Sequence, residues 1–204
     1  MTCIAAISLY GETVMAADSC VTANDGNQVV PHGQQKIVQI DETLVGFAGW
    51  SVYRNILEDV ASRDDVPPVK DKQTIFKFLF WLRKKLLEDY GFVREQSSDA
   101  DYPFTDLSST FLFANREGVY MASHGLSVVD CGPWYAIGSG QEYALGALHA
   151  LVPQALVVRS LDTQPERVPM KVCAETAVRG ALMAACDLEA YCRGPVTVER
   201  LAEK

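Results

Sequence analysis

Apolar residues follow two different periods along this chain. From Cys3 to Leu9 and from Thr13 to Ala17 nearly every position is apolar, with a turn at Tyr10-Gly11-Glu12 between the runs. Such runs fit strands that hide both faces, so the pair is predicted to be a hairpin inside a layered fold. A loop is predicted from Asn24 to Gln35, where Asp25-Gly26 and Pro31 break the pattern, followed by a second hairpin, Lys36 to Ile40 and Thr43 to Ala48, around Asp41-Glu42. From Trp50 the period turns helical, with Trp50, Tyr53, Ile56, Leu57 and Val60 on one face. After Val66-Pro67-Pro68 a second helix is predicted from Lys72 to Tyr90, closed by Gly91 as a left-handed cap. Its core stripe is Ile75, Phe78, Leu79, Leu82 and Leu86; Phe76, Phe80 and Trp81 lie off the stripe, which fits either a deeply buried helix or a subunit contact.

Residues Phe92 to Asp106 are polar and aperiodic and read as a long loop. A third hairpin follows, Ser109 to Ala114 and Val119 to Ser123, joined by Asn115-Arg116-Glu117-Gly118, and then a short strand, Trp134 to Ile137. The chain passes through Gly138-Ser139-Gly140 into a helix from Gln141 to about Val152. A last helix, roughly Val168 to Tyr191, is small-residue and apolar almost all round, and a strand from Val196 to Leu201 ends the pattern. Hairpins require antiparallel sheets, and paired helices between them place helices on the outer faces of two stacked sheets. The expected fold is α+β, a four-layer αββα sandwich formed by a single domain over residues 1–204.

Composition narrows the function. The chain has 204 residues, 18 basic against 26 acidic, for a net charge of −8. That field repels a phosphate backbone, so nucleic-acid binding is not expected. No apolar stretch is long enough to span a bilayer and Met1 leads into no signal-like segment, so the expectation is a cytoplasmic protein with no membrane partner. The six cysteines are scattered, without a C-x-x-C and without histidines at ligand spacing, and read as reduced, buried thiols. No metal or other cofactor is expected.

The common catalytic motifs are missing: there is no G-x-S-x-G, no P-loop and no H-E-x-x-H. His32, His124 and His149 are tied to no nucleophile and read as structural or surface residues. What remains is Thr2. A small residue after the initiator permits removal of Met1, which would leave a threonine whose free α-amine, with a pKa of ~7.7 to 8.0, can act as general base for its own hydroxyl. Taken alone, a threonine at position 2 is common. Asp18 and Lys36 alone would read as an ion pair joining two hairpins, and Ser139-Gly140-Gln141-Glu142 as a capping box at a helix start.

Laid side by side, these features carry a resemblance. Thr2 opening a strand, Met15-Ala16-Ala17-Asp18-Ser19, Gln35-Lys36-Ile37-Val38-Gln39-Ile40, Gly46-Phe47-Ala48-Gly49, Ala136-Ile137-Gly138-Ser139-Gly140 with Tyr143-Ala144-Leu145-Gly146, and Glu189-Ala190-Tyr191-Cys192 occur in order over almost the whole chain. Together they resemble the proteasome β-subunit and HslV family of N-terminal threonine hydrolases, the bacterial branches most of all. The resemblance implies the N-terminal nucleophile hydrolase fold and a threonine-type endopeptidase subunit, with Thr2 as nucleophile, Lys36 beside its hydroxyl, and Asp18 holding Lys36. It implies the backbone N–H of Gly49 as oxyanion donor, Ser139 at the terminal amine, and Thr22 binding substrate main chain as an added strand. Val21, Phe47 and Ser51 would line the first specificity pocket, uncharged and so suited to an apolar residue. Partners implied are further copies of the chain in stacked rings of twelve or fourteen subunits, an ATP-dependent unfoldase, and unfolded polypeptides.

The chain departs from the family pattern where D-x-x-S is common, having Glu189 and Cys192 instead. Glutamate is one methylene longer, and a thiol is a weaker hydrogen-bond partner than a hydroxyl. Two other readings therefore stand beside the peptidase: a ring-forming scaffold whose site has decayed or stays capped by Met1, and an amidase of the same class acting on a small amide.

Overall fold

The computed structural model describes residues 2–23, 28–30, 35–91, 107–152 and 173–202. Eleven strands and four helices occur among them: β1 (Cys3–Leu9), β2 (Glu12–Ala17), β3 (Val21–Ala23), β4 (Gln28–Val30), β5 (Ile37–Ile40), β6 (Thr43–Ala48), α1 (Tyr53–Ala61), α2 (Lys72–Glu88), β7 (Thr110–Asn115), β8 (Gly118–Ala122), β9 (Val128–Asp130), β10 (Trp134–Gly138), α3 (Gln141–Leu151), α4 (Ala174–Leu188) and β11 (Thr197–Arg200). The first sheet has the order β10-β1-β2-β11, the second β5-β6-β7-β8-β9, and β3 and β4 form a small hairpin. Every pairing is antiparallel.

Three apolar clusters set the layers. Alternation along β1 sends Ile4 and Ala6 to one face and Cys3, Ala5 and Ile7 to the other. Ile4 and Ala6, with Met15 and Ala17 of β2, meet Leu44, Leu112 and Ala114 of the second sheet, which makes the contact between sheets. Cys3, Ala5, Ile7 and Ala16 face Ala177, Ala181, Leu182 and Ala185 of α4 and Leu148 of α3; small side chains on both sides let helix and sheet approach closely. Phe47, Phe111 and Phe113 of the second sheet pack under Tyr53, Leu57, Ile75, Phe78, Leu79 and Leu82 of α1 and α2. Each large side chain so buried contributes about 1.5–3 kcal/mol. The result is the expected αββα sandwich.

Several local expectations change. Trp50 is not on the α1 face; it lies in the preceding turn, 59% exposed, its carbonyl accepting the Tyr53 N–H at 3.2 Å. Part of the loop expected from Asn24 to Gln35 is strand, because β4 pairs with β3; the rest of that loop apart from Gln35, His32, and the Phe92 to Asp106 segment lie outside the described residues. Strand β9 extends the second sheet where the sequence pattern had none. The last helix begins at Ala174 among the described residues and ends at Leu188 rather than Tyr191. Helix α2 starts at a reciprocal box, Asp71 accepting from the Thr74 N–H and the Thr74 hydroxyl accepting from the Asp71 N–H, and Gly91 beyond it has φ +58°. The outer face of α2 is not buried: Phe76 and Phe80 are 45% and 49% exposed, so a deeply buried helix is ruled out. The six cysteines are free thiols, but Cys173 is exposed and Cys131 and Cys186 only half-buried. No described helix is long and apolar enough to cross a membrane.

Candidate active site

Strand register brings the distant sequence motifs to one end of the sandwich. In the first sheet Cys3 pairs with Gly138 and Ile4 with Ala17, so Thr2 meets Ser139 and Cys3 meets Asp18 just beyond the paired residues. In the second sheet Ile37 pairs with Gly46 and the Phe47 N–H reaches the Lys36 carbonyl at 3.3 Å, which leaves Gly49 two residues further on. The Asp18–Lys36 ion pair, 2.7 Å and buried at both ends, fastens the two sheet ends together.

Asp18 is wholly buried and saturated with donors. Its Oδ1 accepts from Lys36 Nζ at 2.7 Å and from the Cys3 N–H at 2.8 Å, and its Oδ2 from the Cys20 N–H at 3.1 Å. Lys36 Nζ donates a second bond to the Cys20 carbonyl at 2.6 Å, so two of its three protons are engaged among the described residues. Charge-assisted bonds of this kind are short and strong, and removing either partner of a buried pair costs about 3–5 kcal/mol.

Thr2 is buried and clasped by one hydroxyl. Its N–H donates to Ser139 Oγ at 3.3 Å, and the Ser139 hydroxyl donates back to the Thr2 carbonyl at 3.3 Å. Ser139 Oγ also lies 3.8 Å from Cys192 Sγ. Either the hydroxyl or the thiol can donate in that contact. The capping box expected at Ser139 does not form: the N-cap of α3 is Gly140 and no side chain caps it, so the Ser139 hydroxyl is free for Thr2. Gly138, φ +98°, sits so close to Thr2 that a Cβ there would lie 2.1 Å from the Thr2 carbonyl oxygen. Gly49 is similarly constrained, with φ +155° and a would-be Cβ 2.0 Å from Ser109 Oγ.

The remaining predicted residues are less tightly placed. Glu189 contributes backbone, its N–H to the Ala185 carbonyl at 2.9 Å and its carbonyl to the Cys192 N–H at 3.1 Å; its carboxylate makes no hydrogen bond among the described residues. Phe47 is buried in the core under α1, its ring centroid 6.3 Å from that of Tyr53. Val21 is half-buried and Ser51 exposed, while the Thr22 side chain lies outside the described residues. Among the histidines, His149 sits on α3 with its ring 6.4 Å from that of Trp134. Sequence reasoning missed the Cys20 carbonyl, which carries no side-chain signal, and Ser109, whose Oγ accepts the Trp50 N–H at 3.2 Å and steadies the Gly49 turn. It also missed Ser19, which ties the Cys192 turn to β2 through its N–H to Arg193 O at 3.1 Å and its hydroxyl to Pro195 O.

Comparison with known proteins supports the same grouping. The chain is 27% identical over 209 residues to the ATP-dependent protease subunit HslV of Pseudothermotoga lettingae, covering 98% of this chain and 97% of that one. Its structure superposes on BPH of Thiobacillus denitrificans with a TM-score of 0.75 at 25% identity, over 99% of this chain and 100% of the other. The chain is thus similar to the proteasome β-subunit/HslV family of N-terminal nucleophile hydrolases. No family profile matches it. HslV from Trypanosoma brucei shares the fold of this chain at a TM-score of 0.61 and 18% identity, covering 98% of this chain and 99% of that one. The Thiobacillus denitrificans protein has also been solved in complex with epoxomicin. Within the family frame the marked features of this chain are Glu189 and Cys192, where the expected pattern has aspartate and serine.

Proposed function

We propose that this chain is a threonine peptidase subunit whose nucleophile is the Thr2 hydroxyl once Met1 has been removed. The observation that carries the reading is the convergence of Thr2, clasped by Ser139, with the buried Asp18–Lys36 pair at one end of the stacked sheets. Removal of Met1 turns the Thr2 amide nitrogen into an amine, already directed at Ser139. That amine takes the Thr2 hydroxyl proton as the oxygen attacks a substrate carbonyl, and the positive charge of Lys36 favours the negative charge that develops on the oxygen. The Gly49 N–H stabilises the tetrahedral oxyanion. Collapse expels the amine product, which carries the proton away, and leaves an ester on Thr2 Oγ; water then hydrolyses the ester and restores the hydroxyl.

Substrate main chain lies along β3 at Thr22, and Val21 and Ser51 border an uncharged pocket selecting an apolar residue. Homology to an ATP-dependent protease subunit supports assembly into stacked rings fed by an ATP-driven unfoldase. Both outer helical layers leave apolar side chains uncovered, Phe76 and Phe80 on one side and Met183 and Leu188 on the other, as a chain enclosed by copies of itself requires.

Intact-mass spectrometry of the purified protein, before and after incubation with epoxomicin, tests the reading. The expected results are a mass lacking Met1 and a covalent adduct that Thr2→Ala abolishes together with peptide hydrolysis. A full-length mass with no adduct would sink it. That outcome would favour the scaffold, for which the disengaged Glu189 carboxylate and the long Ser139–Cys192 contact speak.

A further inference from the structure

Two thiols beside Thr2 form and break no bond in the proposed peptidase reaction. Cys3 and Cys192 are both wholly buried and both free. A Cβ built on Gly140 would lie 2.9 Å from Cys192 Sγ and 3.0 Å from Cys3 Cβ, so the two side chains converge on one point over that glycine. Each thiol is therefore the other's neighbour inside the core, with Gly140 beneath them. They belong to elements far apart in the chain, Cys3 opening β1 and Cys192 in the turn between α4 and β11. Ser139, one hydrogen bond from the Cys192 sulfur, is exposed, so a water-sized oxidant at the mouth of the site is close to the pair.

We propose that Cys3 and Cys192 form a reversible thiol–disulfide site that switches the Thr2 centre off when oxidised by a hydroperoxide. The surroundings of the two sulfurs set which reacts first. The neighbouring Cys3 side chain holds the Cys192 thiol below its usual range, while Cys192 and burial push Cys3 well above it. Half-buried Cys186 on α4 does not compete, since burial pushes its thiol up to about 12. The Cys192 thiolate attacks the peroxide, the O–O bond breaks, and Cys192 becomes a sulfenic acid with release of water from hydrogen peroxide. Cys3 sulfur then attacks the sulfenic sulfur; the S–S bond forms, the S–O bond breaks, and the hydroxyl departs with the Cys3 proton as a second water. Two thiols are oxidised and one peroxide is reduced.

Oxidation draws the Cys192 sulfur toward Cys3 and away from its 3.8 Å contact with Ser139 Oγ. Ser139 loses its support, and with it the hold on the Thr2 nitrogen. The loss of activity rests on the peptidase reading; formation of the disulfide does not.

The test uses the assembled protein treated with hydrogen peroxide, then alkylated under denaturing conditions and digested without reductant. The expected product is a linked peptide joining Cys3 to Cys192 that dithiothreitol separates, with epoxomicin labelling of Thr2 falling by about tenfold or more and returning on reduction. Cys3→Ser, nearly isosteric and checked by its melting curve, should form no link and show no reversible loss relative to its own untreated level. Full alkylation of both cysteines after oxidation, or a linked peptide with labelling unaffected, overturns the proposal. If untreated protein never labels, the peptidase reading has failed, and the linked peptide alone then decides whether the pair is a redox site.

Discussion

Gly49 shows how narrowly single positions at this site are constrained. Its φ of +155° is available to glycine and little else, and a methyl group there would strike Ser109 Oγ at 2.0 Å, Ser109 Cβ at 2.7 Å and the Ser108 carbonyl at 2.9 Å. Gly49→Ala should therefore lower stability by at least about 2 kcal/mol, measured by denaturant unfolding, and abolish hydrolysis because the adjacent N–H is displaced. Adding Ser109→Gly removes the side-chain clash but not the backbone strain, so the double variant should recover only part of the stability. Full recovery would show that crowding alone fixes this residue. Ser139 is constrained in another way: one hydroxyl serves both the N–H and the carbonyl of Thr2, so its two hydrogen bonds hold the Thr2 backbone at both ends.

At the level of elements, β11 is joined to α4 by a surface network in which Glu175 receives Arg179 of the same helix at 3.0 Å and Arg200 of the strand. Arg179, and after it Arg200, holds the Glu175 carboxyl below its ordinary value of 4.5. A depressed carboxyl contributes stability that is present above its unfolded pKa and is lost as pH falls through the lower, folded value. Thermal melts of the wild type should therefore lose stability below about pH 4.5 more steeply than those of Glu175→Gln, and moderate salt should shrink the difference, because the network is exposed. Identical slopes would show that it adds nothing.

Most elements were legible because their periods were clean: the α2 stripe of Ile75, Phe78, Leu79, Leu82 and Leu86 is the set that the structure buries. Strands β4 and β9 were not, since each has only three residues and lies among turn-forming positions. Trp50 misled because one aromatic at helical spacing cannot tell a helix from the turn before it. Ser139 misled because a serine three residues before a glutamate fits a helix cap as well as it fits a partner 137 positions away. Nothing local distinguishes the two, and only the resemblance across the whole chain pointed to Thr2.

For the whole molecule, the helical layers are where the proposed assembly can be tested. The Phe76 and Phe80 rings pack edge to face at 4.8 Å on the exposed side of α2, and Phe76 also borders a shallow groove with Leu126 and Val128. Because neither ring supports the core, Phe76→Glu with Phe80→Glu should leave the melting temperature of the dissociated chain nearly unchanged while lowering the mass of the assembly seen by analytical ultracentrifugation. Unchanged mass would remove this face from the subunit contacts.

The Thr2–Ser139 clasp spans 137 positions, and Cys192 lies further on still. Contacts this distant close late, after the loop entropy of the intervening chain has been overcome. Thr2 is therefore synthesised 137 positions before Ser139 and longer still before Cys192, so the groups that hold it arrive well after it does. On the peptidase reading that order of events is protective: a copy that has not yet closed these contacts cannot digest its neighbours.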